Sequence, residues 1–454
     1  MTEAKRGPVR DRQRAAKPFS RWAIDLRPLR APAYRRMWLG NAVSMYGYQF
    51  TAVAVPFQMY TLTKDSFWVG LLGVAGLVPL LVFGLWGGAA ADAVDRRRLL
   101  LSSSALAWLT TLGLLAQALF QVGSPVLLLV LVAVQSAAFA VSSPTRNAIV
   151  PRLVPAELVP AANTLNFTTF QLSLVFGPLT AGLVFAAWGP GFALPVAYVL
   201  DALLFTVSLW ATVRLPAVPP VLAEPGPPTD SAGQSDAPAA PSVRRVGPLG
   251  LRSVIDGIRY LATTPVLLLS FAVDLIAMVL AMPRALFPEV AAERLAGGAA
   301  LGWLFGALGI GGLIGGLTSG WIGRVRRQGV ALVVAVVGWG LAVAGAGLAR
   351  QLWLVVGLLA LAGAADLISS VFRQSILQIY APDRMRGRLQ GVYTVVVAGG
   401  PRFGDLRAGA TAAAFGVSFS WVGGGIAAAL LTLALAFTFP ALLRYRPATK
   451  TAGS

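Results

Sequence analysis

The chain has 454 residues, 56% hydrophobic and only 12% charged, with a formal net charge of +19 and neither Cys nor His. That balance leaves far too little polar surface to cover a soluble core of this length. Without Cys or His there is no disulfide framework, no thiol or Ser-His-Asp chemistry and no usual metal ligand, so any proton handling falls to carboxylates.

A net charge of +19 would point to nucleic acid in a soluble protein. Here nearly all the excess Arg sits between long apolar runs, so no nucleic-acid partner is expected. Residues 1–36 form a basic arm without the apolar core of a cleavable signal peptide. Within it, Phe19–Trp38 mixes Trp22, Ile24, Leu26 and Leu29 with Arg21, Arg27, Arg30, Arg35 and Arg36. It reads equally as a leader or as a segment lying on the anionic inner leaflet.

A helix crosses a bilayer core of ~30 Å with roughly 20 apolar residues. By that ruler the spans fall at 37–62, 67–91, 99–120, 124–145, 161–187 and 191–213, then at 264–290, 300–323, 329–350, 352–375, 388–415 and 419–442. Of the 37 Lys and Arg, only Lys64, Arg294 and Arg350 fall on the side opposite the termini, while Arg284, Arg373, Arg402 and Arg407 lie within spans. The positive-inside rule therefore predicts both termini in the cytoplasm. Residues 214–248 are rich in Pro, Ala, Gly and Ser and read as a flexible linker. After them Leu251, Val254, Ile255, Ile258 and Leu261 recur at helical spacing opposite Arg252, Asp256 and Arg259, which predicts a short amphipathic helix. The expected organisation is a basic arm (1–36), a six-helix bundle (37–213), a cytoplasmic linker with that helix (214–263), a second bundle (264–443) and a cytoplasmic tail (444–454).

The bundles repeat one another. Ser142, Ser143, Arg146, Asn147, Ile149 and Pro155 recur 227 residues later as Ser369, Ser370, Arg373, Gln374, Ile376 and Pro382, and Pro56 returns as Pro283. An offset of 232 relates Gly70, Gly84 and Gly88 to Gly302, Gly316 and Gly320, and in both halves the next loop turns basic. Six helices duplicated in parallel and joined by a linker is the plan of the major facilitator superfamily. The loop Gly88-Ala-Ala-Ala-Asp92-Ala-Val-Asp-Arg96-Arg97-Arg98 resembles that superfamily's motif between spans 2 and 3, with Ala93 where the family has an Arg. The resemblance implies a cytoplasmic gate at Asp92, Arg96 and Arg97. Phe176-Gly177-Pro178-Leu-Thr-Ala-Gly182 resembles the exporter Gly-Pro motif, with Ser173 replacing its first glycine. Proline and small residues there let helices bend and approach. Val53-Ala-Val-Pro-Phe57, Trp68-Val-Gly70 and Leu317-Thr-Ser-Gly320 resemble the enterobactin (siderophore) exporter family. Arg386-Gly-Arg388-Leu-Gln-Gly391 and Gly400-Pro-Arg-Phe-Gly-Asp405 are similar to an actinobacterial branch that also resembles drug and macrolide efflux carriers. The implied fold is an all-α membrane protein of twelve transmembrane helices in two pseudo-symmetric bundles.

Ionisable groups inside a membrane are costly and mark either polar pathways or partners. Asp201, Asp274, Asp366 and Asp405 are the candidate proton-coupling acids, with Arg373, Arg402 and Arg407 as charge partners. Each also has a packing or ion-pair reading: Arg402 and Asp405 share a helical face, and Asp366 lies ~10 Å along the axis from Arg373. Phe139 stands where the repeat places Asp366. Arg146 and Arg388 complete the candidate gate. Tyr46, Tyr48, Gln49, Gln58, Asn163, Asn166 and Gln171 offer stacking and hydrogen bonds to an amphiphilic ligand, or serve as interhelical bonds. No Gly-Lys-Ser/Thr loop is present, so the chain carries no ATPase of its own. A sensor would call for a further folded domain, and the duplicated plan disfavours a channel. The expected function is proton-driven export of a small amphiphilic solute, a siderophore first and an antibiotic second. It would run without cofactor or metal, in the cytoplasmic membrane, as a monomer.

Overall fold

A computed structural model describes residues 25–216, 251–295, 297–382 and 385–445. It is helical throughout, with no strand among the described residues. The first half holds α1 (Pro32–Thr63), α2 (Ser66–Ala93), α3 (Arg96–Leu119), α4 (Pro125–Leu153) and α5 (Val159–Val213). The amphipathic α6 (Leu251–Thr263) follows, then α7 (Pro265–Ala281), α8 (Phe287–Glu293), α9 (Gly298–Leu317), α10 (Gln328–Leu348), α11 (Leu352–Tyr380), α12 (Arg386–Phe415) and α13 (Gly424–Thr438). The linker residues 217–250, the arm before residue 25 and the tail after 445 lie outside the described residues.

Among the described residues ten segments are long and apolar enough to cross a membrane. Long α5 supplies two of them, because Gly189 (φ 68°, ψ 169°) breaks it with a backbone that only glycine adopts cheaply. Helices α7 and α8 together make one more, and α13 with the π-helical turn Phe419–Gly423 another. Helices α1 and α12 match the rest in length but are too polar to meet that apolar criterion, and they bring the membrane-length segments to twelve. Their polarity has a cause: Asn41, Ser44, Gln49, Thr51 and Gln58 of α1 are buried against protein rather than lipid.

The predicted span 264–290 is not one helix. α7 stops at Ala281, and Pro283, which lacks an N–H, leaves carbonyls near the end of α7 without helical donors. Arg407 replaces them: its guanidinium donates to the carbonyls of Val279 (3.2 Å), Leu280 (2.6 Å) and Ser420 (3.2 Å). Pro56, the repeat-equivalent proline, sits inside an unbroken α1. An Arg407→Met variant should therefore lose about 3 kcal/mol of stability, since hydrogen bonds to charged groups contribute ~1.5–3 kcal/mol and the freed carbonyls find no water. Unfolding of the purified protein in detergent reads this, and an unchanged midpoint would show that the clamp does not stabilise the fold.

The halves meet along two helix pairs, α2 with α12 and the first limb of α5 with α9. At the end away from the arginine-rich α2–α3 loop they are closed. A Cβ on Gly70 would sit 2.6 Å from the carbonyl oxygen of Asp405. Tyr60 donates its hydroxyl to Glu293 (2.6 Å), and Ser66 donates to Glu289. On α9, Gly302, Gly306 and Gly309 abut α5, whereas Gly312 and Gly316 meet only α11. On α2, Gly84 has nothing near it, and Phe167 and Phe170 of α5 with Ile314 and Leu317 of α9 are exposed. The helix pairs part there, so the cleft between the halves opens at the arginine-rich end.

Candidate functional site

Where the halves first separate lies a cavity of about 210 Å³. Gln49, Ala52 and Pro56 of α1, Gly73 of α2 and Pro178 of α5 form one side, with Arg284, Phe305 and Asp405 across from them. Pro178 gives up the helical bond to the Leu174 carbonyl, and α9 approaches that carbonyl at Gly309. Gly177 leaves room for the Gln49 side chain against the α5 backbone, which points Gln49 at the cavity. Gly182 meets Gly302 so closely that a Cβ on it would sit 2.7 Å from the Gly302 Cα. All three residues of the Gly-Pro motif thus lie on the face of α5 that meets α1 or α9.

The second half buries a charge cluster. Arg373 on α11 is ion-paired with Asp274 on α7, both nearly inaccessible, and its other nitrogen is 3.8 Å from Asp366, whose side chain is 41% exposed. The axial separation of ~10 Å between Asp366 and Arg373 is bridged by the length of the arginine side chain. The 227-residue repeat places Gly47 opposite Asp274, Phe139 opposite Asp366 and Arg146 opposite Arg373. The first half therefore has the arginine without either acid. Arg146 is half-buried and, among the described residues, makes no ion pair.

Asp201 is the first half's buried acid, fully inaccessible on the second limb of α5. It accepts a 2.5 Å hydrogen bond from Thr51 on α1 and a weaker one (3.4 Å) from Thr111 on α3, which Gln135 of α4 contacts in turn (3.3 Å). Its second oxygen has no partner, and Gly47 leaves the space beside it. Each half thus buries one acid at its first span: Asp201 of α5 lies against α1, and Asp274 lies on α7 itself, paired across to α11.

Asp405 and Arg402 do not pair with each other. Arg402 donates to the Gly76 carbonyl on α2 (3.3 Å), and one Asp405 oxygen is buried without a partner. Arg407 holds backbone carbonyls rather than an acid, as described above.

Among the candidate cavity residues, Tyr46 donates to Thr180 (2.8 Å), and Gln58 is buried as acceptor for Tyr198 (2.6 Å). Those two are spent on joining α1 to α5, while Gln49 lines the cavity and Tyr48 stays half-exposed. Asn163, Asn166 and Gln171 precede Leu174, the point on α5 where the contacts of the α9 glycines end. At the arginine-rich end Arg96 reaches the Ala148 carbonyl and Arg97 the Val213 carbonyl, tying α3 to α4 and α5. The Asp92 side chain lies outside the described residues. Arg388 pairs with Asp256 (3.0 Å), fastening α6 to the start of α12.

Several contributors carried no motif. Asp95 caps α3 by accepting from the N–H groups of Arg97 and Arg98, a role its place before a helical run signals. Glu289, Glu293, Thr51 and Thr111 act only through contacts between distant helices. No group of Asp or Glu suited to a metal ion occurs among the described residues.

Residues 23–224 and 248–451 match the family described as transmembrane secretion effector. The chain is 28% identical over 434 residues to the enterobactin exporter EntS of Shigella boydii serotype 18, covering 94% of this chain and 96% of that protein. Its fold is similar to that of the nucleoside transporter NupG (TM-score 0.67, 16% identity, 91% of this chain and 100% of that one). It is equally similar to a bacterial homolog of the human lysosomal transporter Spinster, solved in an inward-facing, unoccupied conformation (TM-score 0.66, 17% identity, 93% and 100%).

Proposed function

The chain belongs to the transmembrane secretion effector family of the major facilitator superfamily, a multi-pass membrane transporter rather than an enzyme, and from that premise we propose that it exports a siderophore in exchange for protons. The likeness over nearly the whole length to enterobactin exporters carries the substrate class. Transport by alternating access is supported by the two-bundle plan and the cleft that is closed at one end only. With the arginine-rich end and both termini in the cytoplasm of an inner membrane, this is the state that loads solute from inside. A monomer holds the whole cleft.

The proton-motive force supplies the energy, ~2.3 kcal/mol per charge per 100 mV. Asp201 and the Asp274–Arg373 pair, with the partly exposed Asp366 beside it, are the groups to carry the coupling, because they sit on helices that must shift between states. The substrate class is tested in iron-starved cells with and without the gene, by measuring siderophore in the medium and in the cytoplasm. The proposal expects the siderophore to shift from cytoplasm to medium when the gene is present. An unchanged distribution would rule out the siderophore.

A further inference from the structure

The outer surface of the first bundle carries a second cavity unrelated to the cleft. Helices α2 and α3 both lie along α4 but hardly touch each other, and between them runs a groove of about 490 Å³. Pro79 and Phe83 of α2, Leu99 and Leu106 of α3, and Ala137 and Val141 of α4 line it. At 100° per residue, Ala137 and Val141 lie on the side of α4 opposite Phe139 and Arg146, so the groove faces away from that side. Its rim continues into exposed apolar side chains, Val78, Val82 and Leu109. A surface of that composition is stable only against lipid.

One end of the groove is charged. Leu99 directly follows Arg98, which is exposed and, among the described residues, has no ion-pair or hydrogen-bond partner for its side chain. Its neighbours Arg96 and Arg97 are turned toward α4 and α5. Asp95, the acid nearest in sequence, is occupied in capping α3. From Leu99 to Leu106 the groove rises ~10 Å along α3, within the depth of one leaflet of a bilayer core ~30 Å thick.

We propose that this groove is a binding site for an acidic phospholipid, with one acyl chain between α2 and α3 and the phosphate at Arg98. The apolar walls take any chain, whereas the exposed Arg98 at headgroup level favours a lipid with net negative charge. Near a membrane surface one basic residue contributes ≈ 1 kcal/mol, which is about fivefold in affinity.

The test titrates the purified protein in neutral detergent with phosphatidylglycerol and with phosphatidylcholine of identical chains, counting bound lipid by native mass spectrometry. The expected result is about fivefold tighter binding of phosphatidylglycerol. Arg98→Gln should erase that preference while leaving phosphatidylcholine binding as it was. Leu106→Trp, at the exposed rim, should weaken both lipids. Equal affinity of the two lipids for the unmodified protein would overturn the proposal. So would a preference that survives Arg98→Gln, or binding of either lipid that Leu106→Trp leaves untouched, because the lipid would then sit elsewhere.

Discussion

Asp274→Asn should lower the stability of the folded protein by about 3–5 kcal/mol, more than any other single change at the charge cluster. The substitution keeps the shape of the side chain and removes only its charge. Arg373 is then left almost inaccessible, with its nearest remaining acid, Asp366, at 3.8 Å and partly exposed. A guanidinium that has lost its buried partner bears a desolvation cost that the longer contacts to Asp366 and the Ser369 carbonyl offset only in part. Removing both charges together is much less damaging, since well-packed apolar replacements for a buried pair are often neutral. Chemical unfolding in detergent should accordingly rank Asp274→Asn below the double variant Asp274→Leu with Arg373→Met. If the double variant were as unstable as the single one, the pair would not be the source of the loss. Transport by the folded double variant then separates the two roles of the cluster. Retained proton-driven transport would leave it a structural element, and its loss would mark the acids as part of coupling.

Gly182→Leu acts on the cycle rather than the fold. In the closed end of the cleft the α5 and α9 backbones touch at Gly182 and Gly302, so even one added carbon lies 2.7 Å from a backbone atom. Neither helix can yield by rotating a side chain. Forcing bulk into such a contact costs about 1–3 kcal/mol, and that cost falls only on the state closed at this end. A difference of this size moves the balance between the two states roughly 5- to 150-fold. The chain has no cysteine, so a single Ala52→Cys in the cavity reports directly on access. A membrane-impermeant maleimide added from outside should label it faster in the Gly182→Leu background, and transport should fall accordingly. Equal labelling rates in the two backgrounds would show that this contact does not govern the outer closure.

The spans were largely legible because a membrane segment declares itself by length and hydropathy. The predicted ends of α2, α10 and α12 lie within two residues of those observed. The turn between spans 161–187 and 191–213 was also visible, and Gly189 supplies its backbone. The break at Pro283 was not legible. Pro56 and Pro283 are equivalent in sequence, yet only one ends a helix. The distinction lies in Arg407, which comes from α12 to satisfy the carbonyls that the break releases. Buried charges were visible as ionisable residues inside apolar runs, but their partners were not. Arg373 finds Asp274 only because α7 packs on α11. Arg402 shares a helical face with Asp405 but bonds to α2 instead. Helical spacing ranks neighbours on one helix and says nothing of the helix across the interface. For the same reason the aromatic and amide residues could not be sorted in advance into those that join helices, such as Gln58, and those that face the cavity, such as Gln49.

The proposed export moves a solute out of the cell in exchange for an inward flow of protons. Inside-out vesicles containing the protein, energised to an acidic interior and followed with a pH-sensitive dye, test it most directly. Adding a siderophore should release protons and restore the dye signal. Asp201→Asn vesicles, in which the carbonyl oxygen can still accept from Thr51, should give no recovery. Recovery that is the same in vesicles without the protein, or absent while labelled siderophore still accumulates, would contradict proton-coupled export.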